Sequence, residues 1–152
     1  MPAIRIATDC TLPPARVLHA AYDFGPDRTL VWPAVRAEHL TVHEISETTA
    51  DATEGTPVGI GINWERCHYD WSQPGRVTAT VTGSNVYAHP GSSWQLTATP
   101  SKRGSRVEMV WQRTFRRNPA RAVLRHPVPD RRPPDLRPLR PAGHRQPRGA
   151  RT

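Results

Sequence analysis

From Ala3 the chain alternates, with Ile4, Ile6, Thr8 and Cys10 on one side and Arg5, Ala7 and Asp9 on the other. A period of two predicts a β-strand. The next stretch, PPARVLHAAYDF, changes period. Val17, Leu18, Ala21 and Phe24 share one face at helical spacing, and the prolines suit a first helical turn. GPDRTLVWPAV predicts a second short helix or turn, which Trp32–Pro33 keeps from growing. From His39 onward the chain predicts strands alone: HLTVHEIS, VGIGINWERCHYDW, RVTATVTGSNVYA, SWQLTATP and RVEMVWQRTF. In the third of these Val77, Ala79 and Val81 oppose Thr78, Thr80 and Thr82. In the fourth Trp94, Leu96 and Ala98 oppose Gln95, Thr97 and Thr99, and in the last Val107, Met109 and Trp111 share a face. SQPG, HPGS and SKRGS turn the chain between strands. Gly59 and Gly61 allow a bulge or tight curvature within the long second strand.

Successive strands joined by short turns form an antiparallel meander. With two early helices the fold class is α+β, and one apolar sheet face must be covered. The early helices are short for that task, and nothing after Phe115 supplies a partner. Residues 118–152 hold eight of the 17 prolines, and their apolar residues have no period.

Charge singles out the same segment. The chain is 152 residues long with a formal net charge of +8. Residues 1–117 carry 12 basic and 11 acidic side chains, whereas 118–152 carry nine arginines against Asp130 and Asp135. The basic signal thus belongs to an Arg/Pro-rich tail, and the folded part makes no case for nucleic acid. The tail lacks the interleaved aromatics that base stacking requires. Two cysteines, Cys10 and Cys67, are no disulfide framework. The N-terminus has no apolar run long enough for a signal peptide or membrane span. These features predict a soluble, cytoplasmic protein without a membrane span, and they set no oligomeric state.

The order of elements, together with PPARVLHAAYDF, GIGINWERCHYDWSQPGRV, SNVYAHPGSSWQLTATP and GSRVEMVWQRTFRRNP, resembles the polyketide cyclase/dehydrase and lipid-transport branch of the START-like (SRPBCC) superfamily. The resemblance covers roughly residues 3–119 and carries no diagnostic catalytic motif. It implies a helix-grip fold, in which a bent antiparallel sheet wraps a long C-terminal helix and leaves a cavity for an apolar ligand. The chain departs from the pattern at that helix. We therefore expect an incomplete START-like domain over 1–117 and a disordered tail over 118–152. The lost helix, the abrupt rise in Arg and Pro and the GC-rich character of the composition point to a reading-frame shift near Ala120–Leu124. Codons permitted for Leu124–Arg140, read one base later, allow the amphipathic string FATLFRIVGRRIFARY. The gene's nucleotide sequence tests this expectation.

Candidate chemistry is sparse. CHYD places His68 and Asp70 on one strand face and Cys67 on the other, so at most two could bind one metal, and no closed zinc site follows. GTPVGIG has no lysine after it and opens no helix, which excludes a phosphate loop. No GxSxG elbow is present. Nothing calls for a cofactor, a metal or a catalytic residue. The aromatics are more informative: Trp64, Tyr69, Trp71, Tyr87, Trp94 and Trp111 all fall in the meander, where amphipathic rings can line a cavity. Arg113 continues the inward phase of Met109 and Trp111 and could orient a ligand carboxylate or phenolate. Asn85 and Tyr87 follow Val81 and Gly83 in phase and could hydrogen-bond a ligand carbonyl. The expected ligand site is therefore Trp64, Tyr69, Asn85, Tyr87, Trp94, Met109, Trp111 and Arg113. The expected function is binding of a hydrophobic small molecule such as a lipid or polyketide. A polyketide cyclase/dehydratase and a basic-tail interaction module for nucleic acid or protein are the alternatives.

Overall fold

The computed structural model describes residues 3–116. The expected tail, the absent C-terminal helix and the frame shift fall in 118–152, outside the described residues.

Strand β1 (Ala3–Cys10) leads into helix α1 (Pro14–Tyr22), helix α2 (Arg28–Val31) and a single 3-10 turn (Ala37–His39). Six further strands follow: β2 (Thr41–Ile45), β3 (Thr49–Val58), β4 (Gly61–Asp70), β5 (Arg76–Ser84), β6 (Ser93–Ser101) and β7 (Gly104–Gln112). They form one curved antiparallel sheet in the order β1-β7-β6-β5-β4-β3-β2. The helical connection therefore runs from one sheet edge to the other. This is the α+β class that the sequence predicts, with the curved antiparallel sheet that the resemblance implies.

Proline begins α1, as its fixed φ and missing N–H allow. Ala21 is fully buried against the sheet, with Val17 and Leu18 packed beside it. The inner face of the sheet supplies the core: Ala50 and Ala52 from β3, Cys67 and Tyr69 from β4, Val77, Ala79 and Val81 from β5, and Trp94 and Leu96 from β6. Cover thins towards β7 and β1. Ile4 pairs with Trp111 and Ile6 with Met109 on that same face, yet Ile4 is 62% and Ile6 53% exposed. No helix among the described residues is long and apolar enough to cross a membrane.

Three expectations are corrected. The sequence predicts five or six strands, and among the described residues the sheet has seven. The additional strand, β3, turns Ala50, Ala52 and Glu54 inward, so it lacks the large apolar residues that mark a strand. Next, the stretch from Val58 to Trp71 is not continuous strand. It reverses at Gly59–Ile60, where Val58 pairs with Gly61 and Gly59 takes φ +58°. Finally, the phase from Val81 through Gly83 to Tyr87 breaks. Cys67 pairs with Val81 but Arg66 pairs with Gly83, so Thr82 is the extra residue of a bulge. Ser84 becomes the buried residue and β5 ends there.

Candidate functional site

A cavity of about 330 Å³ opens between the sheet and the α2 segment. Trp32, Tyr87, Trp94, Met109 and Trp111 supply its aromatic and apolar wall. Its charged lining is Arg28, Glu54, Glu65 and Arg113. Glu54 and Glu65 are direct cross-strand partners on β3 and β4, and each meets its own arginine.

Arg28, the first residue of α2, is 2% exposed. Its Nη2 lies 2.7 Å from Glu54 Oε1, and its Nε donates to the same oxygen at 2.8 Å. Nη1 donates to the carbonyls of Ala21 at 2.9 Å and Asp23 at 3.3 Å. The guanidinium lies over the Phe24 ring at 4.5 Å. Tyr69 completes the group: its hydroxyl donates to Glu54 Oε2 at 3.1 Å and accepts from Arg28 Nη2 at 3.4 Å. A buried charge pair is tolerable only when its remaining hydrogen-bonding groups are met, and here they are. This cluster ties α2 and the end of α1 to the sheet. Burial, then the Glu54 carboxylate, pushes the Tyr69 hydroxyl well above its ordinary pKa, which keeps it a neutral donor.

The second pair is less complete. Arg113, just past β7, donates from Nη2 to Glu65 Oε1 at 3.1 Å and stacks over Tyr87 at 4.6 Å. Glu65 Oε2 and Arg113 Nη1 are buried without a hydrogen-bond partner among the described residues, and so is Trp64 Nε1. Burial raises the Glu65 pKa above 4.5; Arg113 opposes the shift and Glu54 adds to it.

Of the eight predicted ligand residues, the structure brings Trp64, Tyr87, Trp94, Met109, Trp111 and Arg113 to the cavity. Tyr69 lies beside it in the core, bound to Glu54 and Arg28. Asn85 is buried and turned onto backbone: its Oδ1 accepts from Trp64 N–H at 2.9 Å and its Nδ2 donates to Ile62 carbonyl at 2.7 Å. The side chain thus fixes the start of β4, where Trp64 and Glu65 sit. Ser84 does similar work, donating to Trp64 carbonyl at 2.8 Å and accepting from the N–H groups of Val86 and Tyr87, both at 3.0 Å.

Sequence reasoning missed Arg28, Trp32, Glu54 and Glu65. Glu65 was within reach, because period two from Tyr69 and Cys67 turns it inward. Glu54 follows from Ala50 and Ala52 by the same rule once β3 is accepted as a strand. Arg28 carries no signal, since a helix of four residues has no face to read. In CHYD, Cys67 points into the core while His68 faces outward, 3.7 Å from Asp51. Burial pushes the Cys67 thiol far above its ordinary pKa.

Solved structures of the same architecture include the Zhui aromatase/cyclase from Streptomyces sp. R1128, at 12% identity and TM-score 0.64, covering 76% of this chain and 68% of that one. TTHA0849 from Thermus thermophilus matches at 16% identity and TM-score 0.60, covering 76% and 75%. Ara h 8.0201 matches at 12% identity and TM-score 0.58, covering 85% and 83%. No protein-family model and no curated protein sequence matches the chain. At these identities the likeness concerns the fold alone: the chain shares the α+β helix-grip architecture of these structures.

Proposed function

We propose that the protein binds a hydrophobic small molecule, lipid-like or polyketide-like, in the cavity between sheet and α2. The observation that carries this reading is the cavity lining, in which Trp32, Trp64, Tyr87, Trp94, Met109 and Trp111 stand with the charged side chains of Arg28, Glu54, Glu65 and Arg113. Apolar walls supply affinity and a few placed polar groups supply orientation. Its volume of about 330 Å³ falls at the small end of ligand pockets, which span about 300–1,000 Å³. The test is native mass spectrometry of purified protein before and after exposure to a lipid and aromatic-polyketone library. Retained mass that Trp111→Ala reduces supports the reading. A protein that retains nothing from the library overturns it.

The Glu65–Arg113 pair favours a second reading, a polyketide cyclase/dehydratase-type enzyme. The Glu65 carboxylate beside a guanidinium is arranged to take a proton from carbon α to a ligand carbonyl, with Arg113 stabilising the enolate oxygen. Turnover of a model poly-ketone, abolished in Arg113→Ala and in Tyr87→Ala, supports this reading; retention of ligand without turnover leaves the protein a binder.

A further inference from the structure

We infer that strand β1 is an interface for a second copy of this chain: two β1 strands pair antiparallel about a two-fold axis at Ala7, so that Arg5 of each copy faces the partner's Asp9. This interface does not depend on the ligand-binding reading.

Among the described residues the sheet ends in two edges, β1 and β2, and they differ. An edge strand offers a row of outward N–H and C=O groups, which proteins blunt with short strands, bulges, prolines or inward-pointing charges. β2 is blunted: it has five residues and a bulge between Val42 and Glu44. β1 has none of these devices. Its eight residues pair with β7 in unbroken register, from Ala3 opposite Gln112 to Cys10 opposite Ser105. It contains no proline, and its inner face carries Ile4, Ile6, Thr8 and Cys10. Ile4 and Ile6, each more than half exposed, extend the apolar surface of Trp111 and Met109 to the rim.

Charge then selects the partner. On the outer face of β1, Arg5 and Asp9 stand two positions either side of Ala7, so the strand is its own complement. Antiparallel pairing centred on Ala7 sets each Arg5 directly opposite the partner's Asp9, giving two symmetric ion pairs. Axes at Ile6 or Thr8 set one of these charges against the partner's Ala7, and axes at Arg5 or Asp9 bring like charges together. Both side chains have room for a second partner, since Arg5 is 67% and Asp9 76% exposed. Each is already held from β7: Arg5 Nη1 lies 2.7 Å from Glu108 Oε1, and Asp9 Oδ1 lies 3.3 Å from Arg106 Nη1. The two-fold therefore lines up Glu108, Arg5, the partner's Asp9 and the partner's Arg106 with alternating sign, twice over. On the inner face the same register sets Ile6 opposite the partner's Thr8 and diagonal to the partner's Ile6, which joins the two apolar rims. A single strand pair buries little area, so the dimer belongs to the weak class of specific contacts.

Sedimentation equilibrium of the full chain in about 0.15 M salt, at concentrations up to about 1 mM, reads the association. The parent forms a dimer and nothing larger, because the two-fold contact closes on itself. Arg5→Asp and Asp9→Arg each bring like charges together at both symmetric positions, and each weakens the dimer about tenfold or more. An equimolar mixture of the two variants restores it, because every opposed pair in the mixed dimer is again of opposite sign. Loss of folding cannot produce that rescue. Ala7→Cys, in a Cys10→Ser background, tests the register: opposed Cα atoms about 4.5–5.5 Å apart lie within disulfide reach, so oxidation links the two copies. If a charge variant gives no folded far-UV signal, this cross-link carries the test alone. A parent that stays monomeric overturns the inference, and protection of β1 amides from hydrogen exchange in that monomer would assign the edge to residues 117–152 instead. A dimer that both charge variants leave unchanged, a mixture that fails to rescue, or Ala7→Cys that fails to link overturns it as well.

Discussion

Glu54 and Glu65 face each other across one pair of strands and are held in different ways. Glu54 accepts from Arg28 and Tyr69 with both oxygens, so the pair is committed to the fold. Arg28→Ala should then cost about 3–5 kcal/mol, because it leaves a buried carboxylate unmatched; urea denaturation measures it. Glu65 is the opposite case, since burial raises its pKa in the native state. A raised carboxylic acid binds more protons folded than unfolded, so its contribution favours folding at low pH and is lost as pH rises from 4.5 through the native value. Glu65→Gln should flatten that decline in stability across the same window, as read from urea midpoints. The two cysteines differ as sharply. Cys67 is buried with its thiol pushed up, whereas Cys10 is partly exposed and accepts from Leu12 N–H. A disulfide exchange reagent should titrate Cys10 alone in native protein and both thiols in denaturant. Rapid native reaction at Cys67 would contradict its placement in the core.

At the scale of elements, legibility tracks side-chain size. β5, β6 and β7 announce themselves because valine, leucine or tryptophan alternates with polar residues, and their pairing follows from short turns. β3 stays hidden because its inner face is made of two alanines and a glutamate, whose cover comes from Arg28 at a distance no local pattern encodes. Arg113 is legible by counting along β7, whereas the bulge at Thr82 misleads the same counting along β5. The glycines show a related limit. The sequence suggests curvature at Gly59, but its φ of +58° makes it the first residue of a two-residue hairpin turn with open space around it. Gly104, with φ +141°, lies where a Cβ would collide with the backbone of Cys10 and Thr11. Gly59→Ala should therefore cost only about 1 kcal/mol, the backbone penalty alone. Gly104→Ala should cost distinctly more, because the β6–β7 hairpin cannot move from β1 without breaking its register. Equal losses in urea midpoint for the two variants would show that contact with β1 is unimportant.

For the whole molecule, charge and cavity lie on different parts of the chain. The described residues lining the cavity fall between Arg28 and Arg113, whereas the excess of positive charge belongs to 118–152. Removing 118–152 should abolish salt-sensitive retention on a DNA column and leave ligand binding in the cavity intact. Undiminished retention would locate the basic signal elsewhere. The contrast between the two glutamates reaches further. Arg28, Glu54 and Tyr69 join helix to sheet, and Asn85 and Ser84 hold backbone, so none of these is free to vary with a ligand. Positions 65, 109, 111 and 113 line the cavity, where Met109 and Trp111 also pack against the core and Glu65 pairs with Arg113. On the ligand-binding reading, descendants of this chain would change ligand by substitution at those four positions while inheriting the Arg28–Glu54–Tyr69 group unchanged.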